Sequence, residues 1–130
     1  MTNDETQIRT LIEDWAAAVR AGDMAGVLAN HTDDILIFDV PEPLYSRGME
    51  AYRRTWELFF RYSRGGPGAF DLSEIAVTVG GDVAFVTAIP TIAGPGPLRL
   101  TLGLRKEGDR WLIAHEHHSY AAKLGEGDAP

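Results

Sequence analysis

Two adjoining segments near the C-terminus constrain the fold most. Residues 98–105 read Leu, Arg, Leu, Thr, Leu, Gly, Leu, Arg, with an apolar residue at every second place. That is the pattern of a strand with one face buried. Gly108 and Asp109 supply a tight turn, and residues 110–120 bring in Trp111, Leu112, Ile113 and all but one of the chain's four histidines, with Glu116 among them. The two segments predict an antiparallel hairpin. If Gly108 and Asp109 are the two turn residues, Glu107 pairs with Arg110. An uninterrupted ladder then sets Leu104 against Ile113, Leu102 against His115, Leu100 against His117, Thr101 against Glu116 and Arg99 against His118. One face is leucine-rich and carries His115 and His117. The other carries Arg99, Thr101, Glu116 and His118. A one-residue slip would exchange the two sets.

Upstream, Ile8, Leu11, Ile12, Trp15, Ala16 and Val19 recur at helical spacing, and Asp4 and Glu5 suit the positive end of a helix. This helix is expected to end near Gly22, where Asp23 can cap a second, shorter helix reaching about Asn30. Residues 35–40 form a short apolar strand stopped by Pro41 and Pro43. A third helix is expected from about 48 to 64, with Met49, Tyr52, Trp56, Phe59 and Phe60 on one side, broken by glycines 65, 66 and 68. Strands follow at 70–79, 83–91, 98–106 and 110–120. Turns fall at Gly80, Gly81 and Asp82, and again at residues 94–97. Helices around one short strand, then a run of long antiparallel strands, make an α+β plan.

The chain has 130 residues, enough for one domain with a real core, expected over about 4–120 with a disordered tail at 121–130. Its net charge of −7 argues against nucleic acid or an anionic membrane as partner. The absence of cysteine removes disulfides, thiolate catalysis and cysteine metal sites. No apolar run approaches the ~18–20 residues needed to span a membrane, and the acidic, polar N-terminus lacks a signal-peptide pattern, so a cytoplasmic location is expected.

This order of elements resembles the cone-shaped α+β family of nuclear transport factor 2 (NTF2), the ketosteroid isomerases and the SnoaL-like polyketide cyclases. The resemblance covers about residues 4–120. It rests on Ala21, Gly22 and Asp23 between the first two helices, on Thr32, Asp33 and Asp34 opening the segment that ends in Asp39, on Ser46, Arg47 and Gly48 before the third helix, and on the last strand from Trp111 to Ser119. The resemblance implies an NTF2-like fold, with three N-terminal helices packed on a curved antiparallel sheet and a pocket between them. Steroid isomerases use an aspartate base there, with a tyrosine and a protonated carboxyl at the oxyanion, an arrangement that is itself a standard worked case of pKa tuning. A gapless match from Ala21 to Gly48 lays Asp39 on the base. The oxyanion tyrosine position holds Trp15, a supporting tyrosine position holds Trp56, and the oxyanion carboxyl falls on Thr101. The same match turns Thr101, Ala114, Glu116 and His118 towards the pocket. Steroid isomerisation itself is not implied, because the oxyanion hole is rebuilt.

The candidate site is therefore Asp39 as general base, with Glu116 and His118 as an acid/base pair that donates or orients. The ligand-binding set is Trp15, Tyr52, Trp56, Phe60, Arg99 and Thr101, with Arg99 able to hold a carboxylate. His115 and His117 share a face and could chelate a metal, but they lack a third ligand and sit among leucines, so packing at a subunit interface is preferred and no metal is expected. His31 is isolated and expected at the surface. The apolar leucine face, left open on one side, predicts a homodimer. The chain is expected to bind a small, largely apolar organic molecule, with cofactor-independent isomerase, cyclase or dehydratase chemistry as the catalytic reading. The alternative is a non-catalytic binding or homo-oligomeric module like the association domain of calmodulin-dependent kinases. A pocket open to Asp39, with the carboxyl shifted from its ordinary pKa, is expected of the enzyme, and a closed or solvated Asp39 of the module.

Overall fold

The computed structural model describes residues 3–63, 65–92 and 96–125. Three helices, α1 (Asn3–Ala21), α2 (Met24–Leu28) and α3 (Met49–Tyr62), pack on a sheet built from β1 (His31–Phe38), β2 (Ser46–Arg47), β3 (Asp71–Gly80), β4 (Val83–Thr91), β5 (Arg99–Glu107) and β6 (Arg110–Ser119). The strand order is β2-β1-β6-β5-β4-β3 in one curved, open sheet. Among the described residues, every neighbouring pair is antiparallel except β1 and β6, which run parallel, so the sheet is not the fully antiparallel one expected. Half of the expected tail, residues 126–130, falls outside the described residues, as do part of the turn at 94–97 and the end of the third helix at 64.

Helix α1 forms where the apolar spacing places it, burying Ile8, Ile12, Trp15, Ala16 and Val19. It ends as the Gly22 signal predicts. Gly22 takes a φ of +67°, its N–H bonds the Val19 carbonyl at 3.2 Å, and the Asp23 N–H bonds the Ala18 carbonyl at 2.9 Å. This is the Schellman closure, which favours a residue without a side chain. Asp23 then caps α2 by accepting the Gly26 N–H at 3.2 Å. At the far end of α1, Asp4 accepts from Trp111 Nε1 and Lys106 Nζ, each at 3.1 Å, and pins the helix start to the β5–β6 hairpin.

The hairpin departs from its expected register in one place. Glu107 pairs with Arg110, and Leu104 with Ile113, as the turn dictates. Gly103 then pairs with His115 rather than Ala114, so Ala114 is an extra residue, a β-bulge. From there Leu102 lies opposite Glu116, Thr101 opposite His117, Leu100 opposite His118 and Arg99 opposite Ser119. The expected pairs Thr101 with Glu116 and Arg99 with His118 are therefore wrong, and the two faces exchange their polar cargo. Gly103 eases the close approach here, since a Cβ on it would lie 3.3 Å from that of His115.

Leu100, Leu102 and Leu104 are buried with Ile113 in the same core as the α1 and α3 apolar residues, and Leu98, Glu116 and His118 are buried too. The leucine face is covered by the chain's own helices, which removes the reason first given for a dimer. Arg99, Thr101, His115 and His117 lie on the outer face. Trp15 and Trp56, 2% and 4% exposed, both pack on the inner side, as their helical spacing requires.

Candidate functional site

The inner face of β6 and the buried stripe of α3 meet in a row of polar side chains inside an aromatic shell. Tyr52, fully buried on α3, donates its hydroxyl to Glu116 Oε1 at 2.6 Å. Glu116 Oε2 accepts from His118 Nε2 at 2.5 Å. On its other side the Tyr52 oxygen meets His31 Nε2 at 2.9 Å, and His31 Nδ1 donates to the Ala29 carbonyl at 2.7 Å. Glu116 is 0% exposed, so these neighbours, not water, are the partners of its carboxyl group.

His31 corrects an expectation. It is 8% exposed and anchors one end of the row. Strand β1 begins at His31, not at 35, because His31 pairs with Ile113 of β6. The signal available was parity, since His31 is in phase with Ile35 and Ile37. It is weak, because the two exposed residues Asp33 and Asp34 interrupt the alternation.

His118 faces a cavity of about 700 Å³. Its wall includes Asp39, Trp56, Phe59, Phe70, Leu98 and Tyr120. Asp39 sits just beyond the end of β1, half-buried, with one carboxylate oxygen accepting the Val40 N–H at 2.8 Å. Trp56 and Phe70 each lie 6.1 Å from the His118 ring, centroid to centroid. Nε2 of His118 is committed to Glu116, so Nδ1 is the nitrogen left for a ligand. A smaller cavity of about 340 Å³ shares Asp39 and is lined also by Arg47, Arg54 and Glu42.

The electrostatics of the row follow from burial and the Glu116 charge. Burial pulls the His118 pKa down, but the charge and hydrogen bond of Glu116, with a smaller push from Asp39, outweigh it and leave the imidazole above its usual value. Burial pulls His31 below its usual value, and Glu116 with the Ala29 and Leu28 backbone opposes that only in part. Burial and Glu116 hold the Tyr52 phenol well above the usual range, and Trp56 and Trp15 pull weakly the other way. Neither indole N–H makes a hydrogen bond of regular geometry, so their influence on Tyr52 is one of proximity.

The structure thus brings Asp39, His118 and Trp56 together on the cavity wall and sets Glu116 and Tyr52 behind them. Trp15 packs edge-on to Trp56 at 5.9 Å and to Phe70 at 5.3 Å, supporting the wall from behind. Phe60 touches Trp56 at 6.1 Å. Arg99 and Thr101 are on the opposite, outer face. Arg99 donates to Ser119 Oγ and the Tyr120 carbonyl, each at 3.1 Å, and reaches neither Glu116 nor His118. His115 and His117, also outside, bracket Phe38 at 5.0 and 5.3 Å. Among the described residues no group of three or more His, Asp and Glu is placed to hold a metal ion.

Helices laid over a curved sheet, with an aromatic cavity holding ionisable groups at its wall, define the NTF2-like class of α+β proteins. Residues 8–123 match the SnoaL-like domain, and the chain belongs to that family. An NTF2-like protein of unknown function from Pseudomonas putida KT2440 is similar at 33% identity, over 100% of this chain and 95% of that one, with a TM-score of 0.85. A ketosteroid isomerase-like protein from Erwinia carotovora atroseptica shares the fold at 20% identity, over 95% and 100% of the two chains, with a TM-score of 0.73. An NTF2-like protein from Streptomyces avermitilis, provisionally named a dehydratase, shares it at 19% identity over 92% and 97%, with a TM-score of 0.76. No curated protein matches the chain significantly. Among the described residues no helix is long and apolar enough to cross a membrane.

Proposed function

We propose that the cavity binds a small, largely apolar organic molecule and that Asp39 and His118 carry out acid/base chemistry at carbon on it, in an isomerase, cyclase or dehydratase type of reaction. The observation that carries this reading is that two proton-transfer groups, a carboxylate and an imidazole, share the wall of one aromatic cavity of about 700 Å³. Asp39 takes a proton from a carbon acid. His118 exchanges a proton with the ligand oxygen through Nδ1, while Glu116 fixes the ring and stabilises the imidazolium. Such chemistry needs no cofactor. The likeness to a ketosteroid isomerase-like protein and to a provisionally named dehydratase supports the class of reaction.

The competing reading, a non-catalytic binding or association module, expects Asp39 closed off or solvated. The opening of both cavities onto a half-buried Asp39 weighs against it. The test is a panel of enones, epoxides and polyketide intermediates assayed for turnover and binding. Turnover lost in Asp39→Asn with binding retained supports the enzyme. Micromolar binding without turnover supports the module.

Self-association is part of the proposal, now through the outer sheet face. Val83 and Phe85, 60% and 51% exposed, lie there beside Thr87, Thr101 and His117. Two exposed apolar side chains side by side on a sheet face, with Arg105 opposite Val83 at the edge of the patch, suit a second copy.

A further inference from the structure

The hydrogens in the buried row can be counted, and the count does not close if each group ionises independently. His31 Nδ1 lies 2.7 Å from the Ala29 carbonyl oxygen, which can only accept, so Nδ1 carries a hydrogen. His31 Nε2 lies 2.9 Å from the Tyr52 oxygen, which lies 2.6 Å from Glu116 Oε1. The phenol has one hydrogen to give. If it goes to Glu116, His31 Nε2 must donate, and the imidazole is doubly protonated. If it goes to His31, Glu116 must be protonated and donate to the Tyr52 oxygen. A neutral His31 beside an ionised Glu116 leaves one of the two contacts as facing lone pairs, buried and unsatisfied.

We propose that His31, Tyr52 and Glu116 hold one shared proton, relayed by Tyr52, and that His31 thereby sets the charge that Glu116 presents to His118 at the cavity. The transfer balances. His31 Nε2 gives its hydrogen to the Tyr52 oxygen as the Tyr52 hydrogen passes to Glu116 Oε1. An imidazolium and a carboxylate become an imidazole and a carboxylic acid, with no net change in charge. When His118 takes a proton from the ligand, the reverse step restores the carboxylate that stabilises it. The titratable groups facing His118 are Glu116 on its own strand and Asp39 beyond β1, with Tyr52 of α3 and His31 of β1 acting through Glu116. Trp56 and Phe70 complete its surroundings without charge. His31 and Tyr52 are thus positioning residues whose effect reaches the ligand through Glu116 and His118.

The inference rests on His118 being the proton-transfer group of the cavity, but its test needs no ligand. In the intact protein, nitrogen-15 shifts of the imidazoles and the carbon-13 shift of the Glu116 carboxyl report where protons reside. At neutral pH the shared proton should appear on His31 Nε2, on Glu116, or averaged between them. A neutral His31 beside a fully ionised Glu116 would overturn the proposal. In His31→Gln the amide still donates to Tyr52 but brings no extra proton, so Glu116 stays ionised. The His118 midpoint should then rise by about one pH unit, the size expected of coupled sites. In Tyr52→Phe, which keeps the ring and cuts the relay, the same His31→Gln change should move His118 far less. An unmoved His118, or an equal shift with and without the Tyr52 hydroxyl, would defeat the relay. Coupled titration without any turnover would uphold the array and reject the proposed chemistry, and turnover with independent titration would do the opposite.

Discussion

Tyr52 and Glu116 lie 64 positions apart in the chain and 2.6 Å apart in space, joined by a hydrogen bond that no solvent reaches. The bond ties the first turn of α3 to β6, so the same contact holds the helix on the sheet and orients the carboxylate behind His118. A hydrogen bond to a charged group contributes about 1.5–3 kcal/mol. Tyr52→Phe should lower unfolding free energy by about that amount in urea titrations, with the slope unchanged. A loss under a few tenths of a kcal/mol would mean that the bond is not made in solution.

Removing the carboxylate is predicted to cost more. Glu116→Ala strands the Tyr52 hydroxyl and the His118 N–H together and opens a void. Breaking a buried charged pair costs about 3–5 kcal/mol. Glu116→Gln keeps an acceptor for one of the two donors and should cost visibly less. Equal losses in the two variants, measured by chemical denaturation, would show that volume rather than hydrogen bonding is at stake.

The raised pKa of His118 makes its contribution pH-dependent in a definite direction. A base held above its unfolded value of 6.5 stabilises the fold fully below that value and loses the contribution as pH rises through the raised midpoint. The stability gap between the wild-type protein and His118→Gln should therefore be larger at acidic than at alkaline pH. His31, shifted downward, acts in the opposite sense, and comparison with the single variant separates the two. A gap that widens towards alkaline pH would contradict the Glu116–His118 pairing.

At the cavity, Asp39→Asn is expected to reduce turnover by ~10²–10⁴-fold, the usual cost of losing a general base, with little change in melting temperature. His118→Gln, which removes the imidazole that exchanges the proton of the ligand oxygen, should lower the rate as well. Asp39→Asn with full activity would exclude Asp39 as the base.

For the outer face, Phe85→Glu should shift the particle from the mass of two chains to 14.2 kDa in light scattering at micromolar concentration, while leaving the melting temperature of the monomer near that of the parent. A parent protein that already scatters as one chain would remove the proposed dimer.

Much of this architecture was legible in the residues, because it depends on local rules. Helical spacing placed Trp15 and Trp56 inward, Gly22 and Asp23 marked the junction of α1 and α2, and the Gly108–Asp109 turn started the last hairpin in step. What stayed hidden depended on long-range pairing. The irregular start of β1 concealed His31, since only its partner Ile113 on β6 shows that the strand has begun. Ala114 carries no mark of a bulge, and counting by twos past it sent Arg99 and Thr101 to the cavity and the leucines to the outside. Family likeness turned Thr101, Ala114, Glu116 and His118 alike towards the pocket; on β6 it is right for Glu116 and His118, which are buried, but it fails on β5, where Thr101 is exposed on the outer face.

The bulge at Ala114 has a consequence for how a chain of this kind can diverge. In an alternating strand the side that a residue faces is a matter of odd and even, and one inserted residue works like a shift of reading frame. Deleting Ala114 would remove only the extra residue and leave Glu116 opposite Leu102 and His118 opposite Leu100, whereas drawing Ala114 into a regular ladder would bring His115 and His117 to the interior and send Glu116 and His118 out, replacing a carboxylate–imidazole pair with two imidazoles without changing the chemical identity of any side chain. A change that favours regular over bulged pairing at this point can therefore rewrite the chemistry of the cavity more thoroughly than any one substitution within it.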